Sequence, residues 1–310
     1  MKKLVLSVVA MVLSLSLVHA QDLATATETY NNGAIALNNG DKAGALEYFN
    51  QALAMALSLG EEGKDIADNC KTHIPSIQFS IAKEAVNEAR YDDAVAELNK
   101  TVELANQFGD DATAFDAGAL VPQVLMQKAN SFFNNKSFAD AAAAYADVLE
   151  IDATNGMAAL RMGAALASSG QKDAAVDAYK KAVELGQEKA ANKQLSNLYL
   201  KDAAGALKAK KYDDAVKAAL ASNECLENAK AYQIAGQASQ IQGKNNDALN
   251  YFGKYLEMAP TAANSGQIAY TMAVIYQQQK NTEKAREYYQ KASTDPKFGA
   301  EAQKQLANLK

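Results

Sequence analysis

The chain has 310 residues, 49% of them apolar, with 31 Lys and Arg against 36 Asp and Glu, four Pro, two Cys and no Trp. That balance excludes a collagen-like or charge-rich disordered chain, and a net charge of -5 excludes broad nucleic-acid binding through phosphate neutralisation. With 64 Ala, helix is favoured nearly throughout, because Ala loses no side-chain entropy in a helix and Pro, the main breaker, is rare.

The first twenty residues read as an address. Met1 is followed by Lys2 and Lys3, an apolar run from Leu4 to Val18, and Val18-His19-Ala20 before the polar Gln21 and Asp22. A basic start, a short apolar stretch and a small residue at its end are the parts of a secretory signal, and about 15 apolar residues are too few for a permanent bilayer span. Residues 1–20 are therefore expected to be a signal peptide cleaved after Ala20, which places the mature chain in the periplasm or outside the cell. The first Cys, Cys70, is too far from the junction to carry a lipid there, and no later stretch reads as a membrane span.

After this segment one pattern recurs seven times. A helix opens on Ala45, Ala94, Ala141, Ala175, Ala215, Ala248 and Ala285, and twelve positions before each stands Gly33, Ala82, Ala129, Gly163, Ala203, Gly236 or Ala273. Four positions after each stands Phe49, Leu98, Tyr145, Tyr179, Ala219, Phe252 or Tyr289, bulky in all but the fifth. Two antiparallel helices approach closely only where small side chains meet, and a bulky residue one turn beyond lies on the same face and fills the gap toward the next pair. A lone helical pair cannot bury both faces, so such units are stable when stacked.

The anchors step by 49, 47, 34, 40, 33 and 37 residues. The extra residues, around Ser58–Ile74 and Ala105–Val121, carry helix-like apolar spacing, with Pro75 and Pro122 predicted as helix starts. Residues 298–309, with Phe298, Ala302, Leu306 and Leu309 on one face, form a predicted last helix of the kind a stack needs as its cap.

Catalytic chemistry is sparse. Once His19 leaves with the signal, His73 is the single remaining His, and it reads as a surface or packing residue. The HExxH, GxSxG and GxGxxG patterns are missing, and Gly236 to Lys244 departs from a phosphate loop in glycine spacing and in having Asn245 after the Lys. Asp110, Asp111 and Asp116 lack the alternation and terminal Glu of a calcium loop and read as helix capping, as do Asp92-Asp93 and Asp213-Asp214. Cys70 and Cys225, 155 positions apart in a linear stack, read as separate thiols. No catalytic, metal or cofactor residues are predicted, and the chain is not expected to be an enzyme.

The small residues, the aromatics after them, Gly40, Gly170 and Gly243 at the turns, and Pro260 near a repeat end make the chain resemble the tetratricopeptide repeat family. The Trp usual near the start of the unit is missing throughout. The resemblance implies an all-α fold, a right-handed α-solenoid of about seven helical hairpins with a capping helix. Its repeats would lie near 26–59, 75–108, 122–155, 156–189, 196–229, 229–262 and 266–299, with the cap at 298–309. It also implies a concave groove lined by the first helix of each repeat. Those positions are held by Phe79, Lys83 and Asn87, by Met126, Asn130, Phe133 and Asn134, by Gln233, Gln237 and Gln240, and by Gln267, Tyr270 and Gln277. Such amides pair with a peptide backbone and such aromatics offer apolar anchors. A clamp for a C-terminal carboxylate needs Lys, Asn and Arg together, and no Arg joins Lys83 and Asn130.

Two functions fit. One is an exported, non-enzymatic adaptor that holds a protein or peptide in its groove during cell-envelope assembly, with no cofactor, no nucleic acid and no membrane span. The other is a self-assembling structural protein, because residues 21–160 carry 21 acids and 8 bases whereas residues 161–310 carry 15 acids and 21 bases.

Overall fold

The computed structural model describes residues 23–309. The expected signal segment, residues 1–20, lies outside them. Among the described residues every regular element is helical, so the fold is an all-α helical repeat. The chain divides into two compact units, one reaching to Asp152 and one beginning at Ala153.

The first unit contains α1 (Leu23–Asn38), α2 (Lys42–Ser58), a 3-10 turn (Gly60–Gly63), α3 (Lys64–Asn87), α4 (Tyr91–Phe108), α5 (Asp111–Asn134) and α6 (Phe138–Ile151). The second contains α7 (Gly156–Ser168), α8 (Lys172–Ala182), a π turn (Val183–Gln187), α9 (Glu188–Lys208), α10 (Tyr212–Cys225), α11 (Ala229–Ile241), α12 (Asn245–Met258), α13 (Ser265–Gln278), α14 (Thr282–Ala292) and α15 (Gly299–Asn308). Within each unit, helices adjacent in sequence pack on one another. The final helix α15 packs on α14 and buries Ala302, covering the end of the apolar interior as the capping segment was expected to do.

The repeat read from the sequence is the packing unit. All seven anchor Ala are fully buried, as are the small residues twelve positions before them, and the seven residues four positions after them are at most 3% exposed. Where the small residue is Gly, the ring lies over it: a Cβ built on Gly163 would sit 2.6 Å from Tyr179 Cδ1, and one on Gly236 2.5 Å from Phe252 Cδ1. Glycine here permits an approach that alanine would obstruct.

The turn between the two helices of each hairpin is also constant. Its residue has a left-handed backbone at Gly40, Gly170 and Gly243, and equally at Ala89, Lys136, Lys210 and Lys280, with φ between 56° and 83°. Left-handed backbone is costly for a residue with a Cβ. Four hairpins accept that cost, because the amide of the next residue then reaches back to the helix it has just left, as Arg90 does to Ala85 and Lys211 to Ala206.

The two prolines do not start helices. α3 runs through Pro75 and α5 through Pro122 without a break. An internal proline removes one backbone hydrogen bond and costs ~3 kcal/mol. The preceding turns nevertheless stay helical because Ala67, Cys70 and Ile74 enter the same apolar cluster as Phe49 and Leu53, while Ala117 and Val121 are buried on α5. The added residues are thus helical extensions, as their apolar spacing implied. His73 consequently lies inside α3: its Nε2 is 3.2 Å from the Tyr30 hydroxyl and its ring stacks on Phe49 at 5.2 Å. It is a packing histidine.

Candidate functional site

In the first unit α3 and α5 are the leading helices of successive hairpins and pack side by side. On α3, Phe79 is half-buried with the Lys83 ammonium 3.8 Å from its ring centroid, a cation–π pair, and Lys83 and Asn87 are exposed. On α5, Met126, Asn130 and Phe133 are half-buried and Asn134 is exposed. Phe133 meets Phe138, the first residue of α6, edge to face at 5.3 Å.

Asn130 is held in place. The Tyr145 hydroxyl donates to its Oδ1 at 2.6 Å, so the fully buried ring of α6 orients an amide at the surface of α5. Beside it lies a shallow depression of about 420 Å³ lined by Tyr91, Gln127, Asn130, Ser131, Asn134 and Asn135. The structure therefore brings Asn130 and Asn134 together with four polar residues that the groove positions did not include. Gln127, Asn130, Ser131 and Asn134 follow the i, i+3, i+4, i+7 spacing of one helix face, a polar stripe legible in the sequence. Tyr91 comes from the start of α4, and no local signal places it there. The depression presents donors and acceptors of both kinds and no carboxylate, an arrangement that can pair with peptide groups.

In the second unit the predicted groove residues are more occupied with the chain itself. Gln233 accepts from Lys230 at 3.0 Å, and Gln277 accepts from the Tyr289 hydroxyl at 2.7 Å. Tyr270 packs between Tyr289 and Phe298, at ring separations of 5.5 and 5.6 Å, and so helps close the apolar end of the unit. Burial raises the Tyr270 hydroxyl above its ordinary value and pushes Tyr289 up to about 12. Gln237 is half-buried, while Gln240 and Gln267 are exposed on α11 and α13.

Cys70 and Cys225 are free thiols. Cys70 is fully buried, and desolvation pushes it up to about 11, which keeps it protonated and unreactive near neutral pH. Burial likewise raises Cys225. Asp110 caps α5 by accepting from the Thr113 amide at 3.1 Å, the structural role its position implied. Among the described residues no three His, Cys, Asp or Glu side chains are grouped to hold a metal, and no helix is long and apolar enough to cross a membrane.

Family models of the tetratricopeptide repeat match residues 126–191 and 266–294. A comparison with the curated proteins finds no match. Among solved structures, the chain is similar to a crystal structure of MamA protein, at 18% identity, covering 59% of this chain and 96% of that one with a TM-score of 0.37. It is also similar to YrrB, described as a TPR protein with an unusual peptide-binding site, at 22% identity, 59% and 91% coverage and a TM-score of 0.34. A third is PilF of Pseudomonas aeruginosa, at 18% identity, 61% and 91% coverage and a TM-score of 0.30. These matches identify tetratricopeptide repeats at residues 126–191 and 266–294, and the buried Ala and left-handed turn of those hairpins recur in every other hairpin of the described residues.

Proposed function

We propose that the chain is a non-enzymatic adaptor that binds an extended peptide segment of a partner protein along α5 in the first unit. The observation that carries this reading is the amide stripe of α5, oriented through the Tyr145–Asn130 hydrogen bond and flanked by the half-buried Phe133. Extended peptides expose a backbone donor and acceptor at each residue, and Asn and Gln side chains satisfy both without demanding a sequence. Phe133, and Phe79 on the neighbouring helix, supply the apolar anchors. Tetratricopeptide repeats as a class hold protein or peptide partners, which supports the same assignment. The signal-like residues 1–20 support export, with the adaptor acting in the cell envelope.

The test is a displayed random-peptide library selected on the full chain, followed by affinity measurements on the selected peptides. Asn130→Ala with Asn134→Ala, and separately Phe133→Ala, should weaken binding by about tenfold or more, with helical circular dichroism unchanged. Peptides that bind these variants as tightly as the parent chain reject the site. For export, N-terminal sequencing of the mature protein should begin at Gln21.

A further inference from the structure

The second unit contains a cleft of about 660 Å³ between α9 and α10, whose floor is the glycine and alanine surface of those helices. Lys201, Lys211 and Lys217 stand on its rim, exposed, and none of them is in an ion pair among the described residues. Two acids also line the cleft. Asp202 is already neutralised by Lys172 at 2.6 Å, and Asp214 lies in the first turn of α10, where the helix N-terminus stabilises its charge. Lys201, Lys211 and Lys217 outnumber the one unpaired acid of the cleft, Asp214, and the whole of residues 153–310 carries a net charge of +6.

The first unit presents the complement. Residues 21–152 carry a net charge of -13. At the end of α2, Leu57 is 59% exposed, and the 3-10 turn that follows exposes Glu61 and Glu62, with Asp65 exposed one turn further on. No ion pair among the described residues engages Glu61, Glu62 or Asp65. An exposed leucine followed by three unanswered carboxylates matches a small-residue floor rimmed by three unanswered ammonium groups in both polarity and charge.

We infer that the α9–α10 cleft is a docking site for the Leu57–Asp65 turn of a second copy of this chain. Each copy offers one cleft and one turn, so the turn of one copy seats in the cleft of another. Rim ion pairs of this kind steer association and weaken with salt. The contact is separate from the α5 stripe and does not depend on it.

Sedimentation velocity on the full chain tests this, at low salt and at about 1 M, where the screening length falls to ~3 Å. At low salt the sedimentation coefficient should rise with concentration, and at high salt it should not. The triple variant Lys201→Glu, Lys211→Glu, Lys217→Glu should remain a monomer, as should Glu61→Lys, Glu62→Lys, Asp65→Lys. All six positions are exposed, and circular dichroism checks that both variants are folded. Mixed in equal amounts, the two variants should regain a complex, because each supplies the face that the other has inverted. A concentration-independent monomer at low salt, association that survives reversal of the cleft, or a mixture that stays monomeric each overturns the inference. The α5 variants should associate like the parent chain, so failure of the peptide groove and failure of this contact are distinguishable.

Discussion

Two glycine-to-alanine substitutions in one hairpin should act in opposite directions. Gly236 lies in the interior of α11, and a Cβ there would fall 2.5, 2.6 and 3.0 Å from Phe252 Cδ1, Cε1 and Cγ. Ordinary carbon contacts lie at about 3.5–4.0 Å, so the ring must retreat by roughly 1 Å. Phe252 is 1% exposed and packs in one cluster with Leu249, Ile268 and Met272, which leaves little free space for that movement. Overpacking of this kind costs about 1–3 kcal/mol, against a gain of about 0.8–1 kcal/mol in helix propensity. Gly236→Ala should therefore lose roughly 1 kcal/mol. Gly253, inside α12 of the same hairpin, has nothing within 4 Å of its added Cβ, so Gly253→Ala should gain about 0.8–1 kcal/mol. Gly33→Ala, whose nearest contact would be 3.2 Å, should fall between them. Urea denaturation followed by circular dichroism reads the difference. Hydrogen exchange on α11 and α12 localises it, because stacked repeats depart from all-or-none unfolding. If Gly236→Ala raises the midpoint as much as Gly253→Ala, ring-over-glycine packing is not what holds these helices together.

Other predictions concern the turns, the polar interior and alkaline pH. Lys136→Gly and Lys280→Gly relieve left-handed backbone worth about 1–2 kcal/mol and give back about 0.5–1 kcal/mol in chain entropy, so thermal unfolding should shift upward; Gly243→Ala should shift it downward. The buried Ser196 and Ser222 form a network with the half-buried Asn228, in which the serine hydroxyls lie 2.9 Å apart and the Asn228 amide donates to Ser222 at 3.1 Å. Ser222→Ala removes its bonds while Ser196 and Asn228 keep each other and the Leu226 carbonyl, so it should cost about 0.5–1.5 kcal/mol in chemical denaturation. Cys70, pushed up to about 11 from 9.0, and Tyr289, pushed up to about 12 from 10.0, hold their protons longer folded than unfolded. The unfolded chain then binds fewer protons, so stability present in full below pH 9 should fall as pH rises through 11 and 12. Cys70→Ala with Tyr289→Phe should flatten that decline, and an unchanged slope would remove these groups as its cause.

The fold was legible because its information is local and repeated. Ala94, Ala141 and Ala175 could be assigned to buried helix contacts from spacing alone, since a 3.6-residue period decides which side chains share a face. The prolines were misleading for a complementary reason. Local rules assign Pro75 and Pro122 to helix starts, but burial of Cys70, Ile74 and Val121 outweighs one missing hydrogen bond. The site was legible only in part. Asn130 and Asn134 could be placed together on one helix face, whereas the Tyr145 hydroxyl that orients Asn130, and Tyr91 beside it, belong to other helices. Tyr270 reads as a groove residue by position; it is half-buried, and its ring also packs against Tyr289 and Phe298.

By itself, then, the sequence determined the helical hairpin, its buried small residues, the absence of a catalytic histidine motif and the opposed charge of its two halves. Only the tertiary structure decided which polar side chains stay open to a partner and which are held by neighbours. Periodicity specifies the face a residue occupies, but the reach of a ring or hydroxyl from the next helix depends on packing between elements distant in the chain.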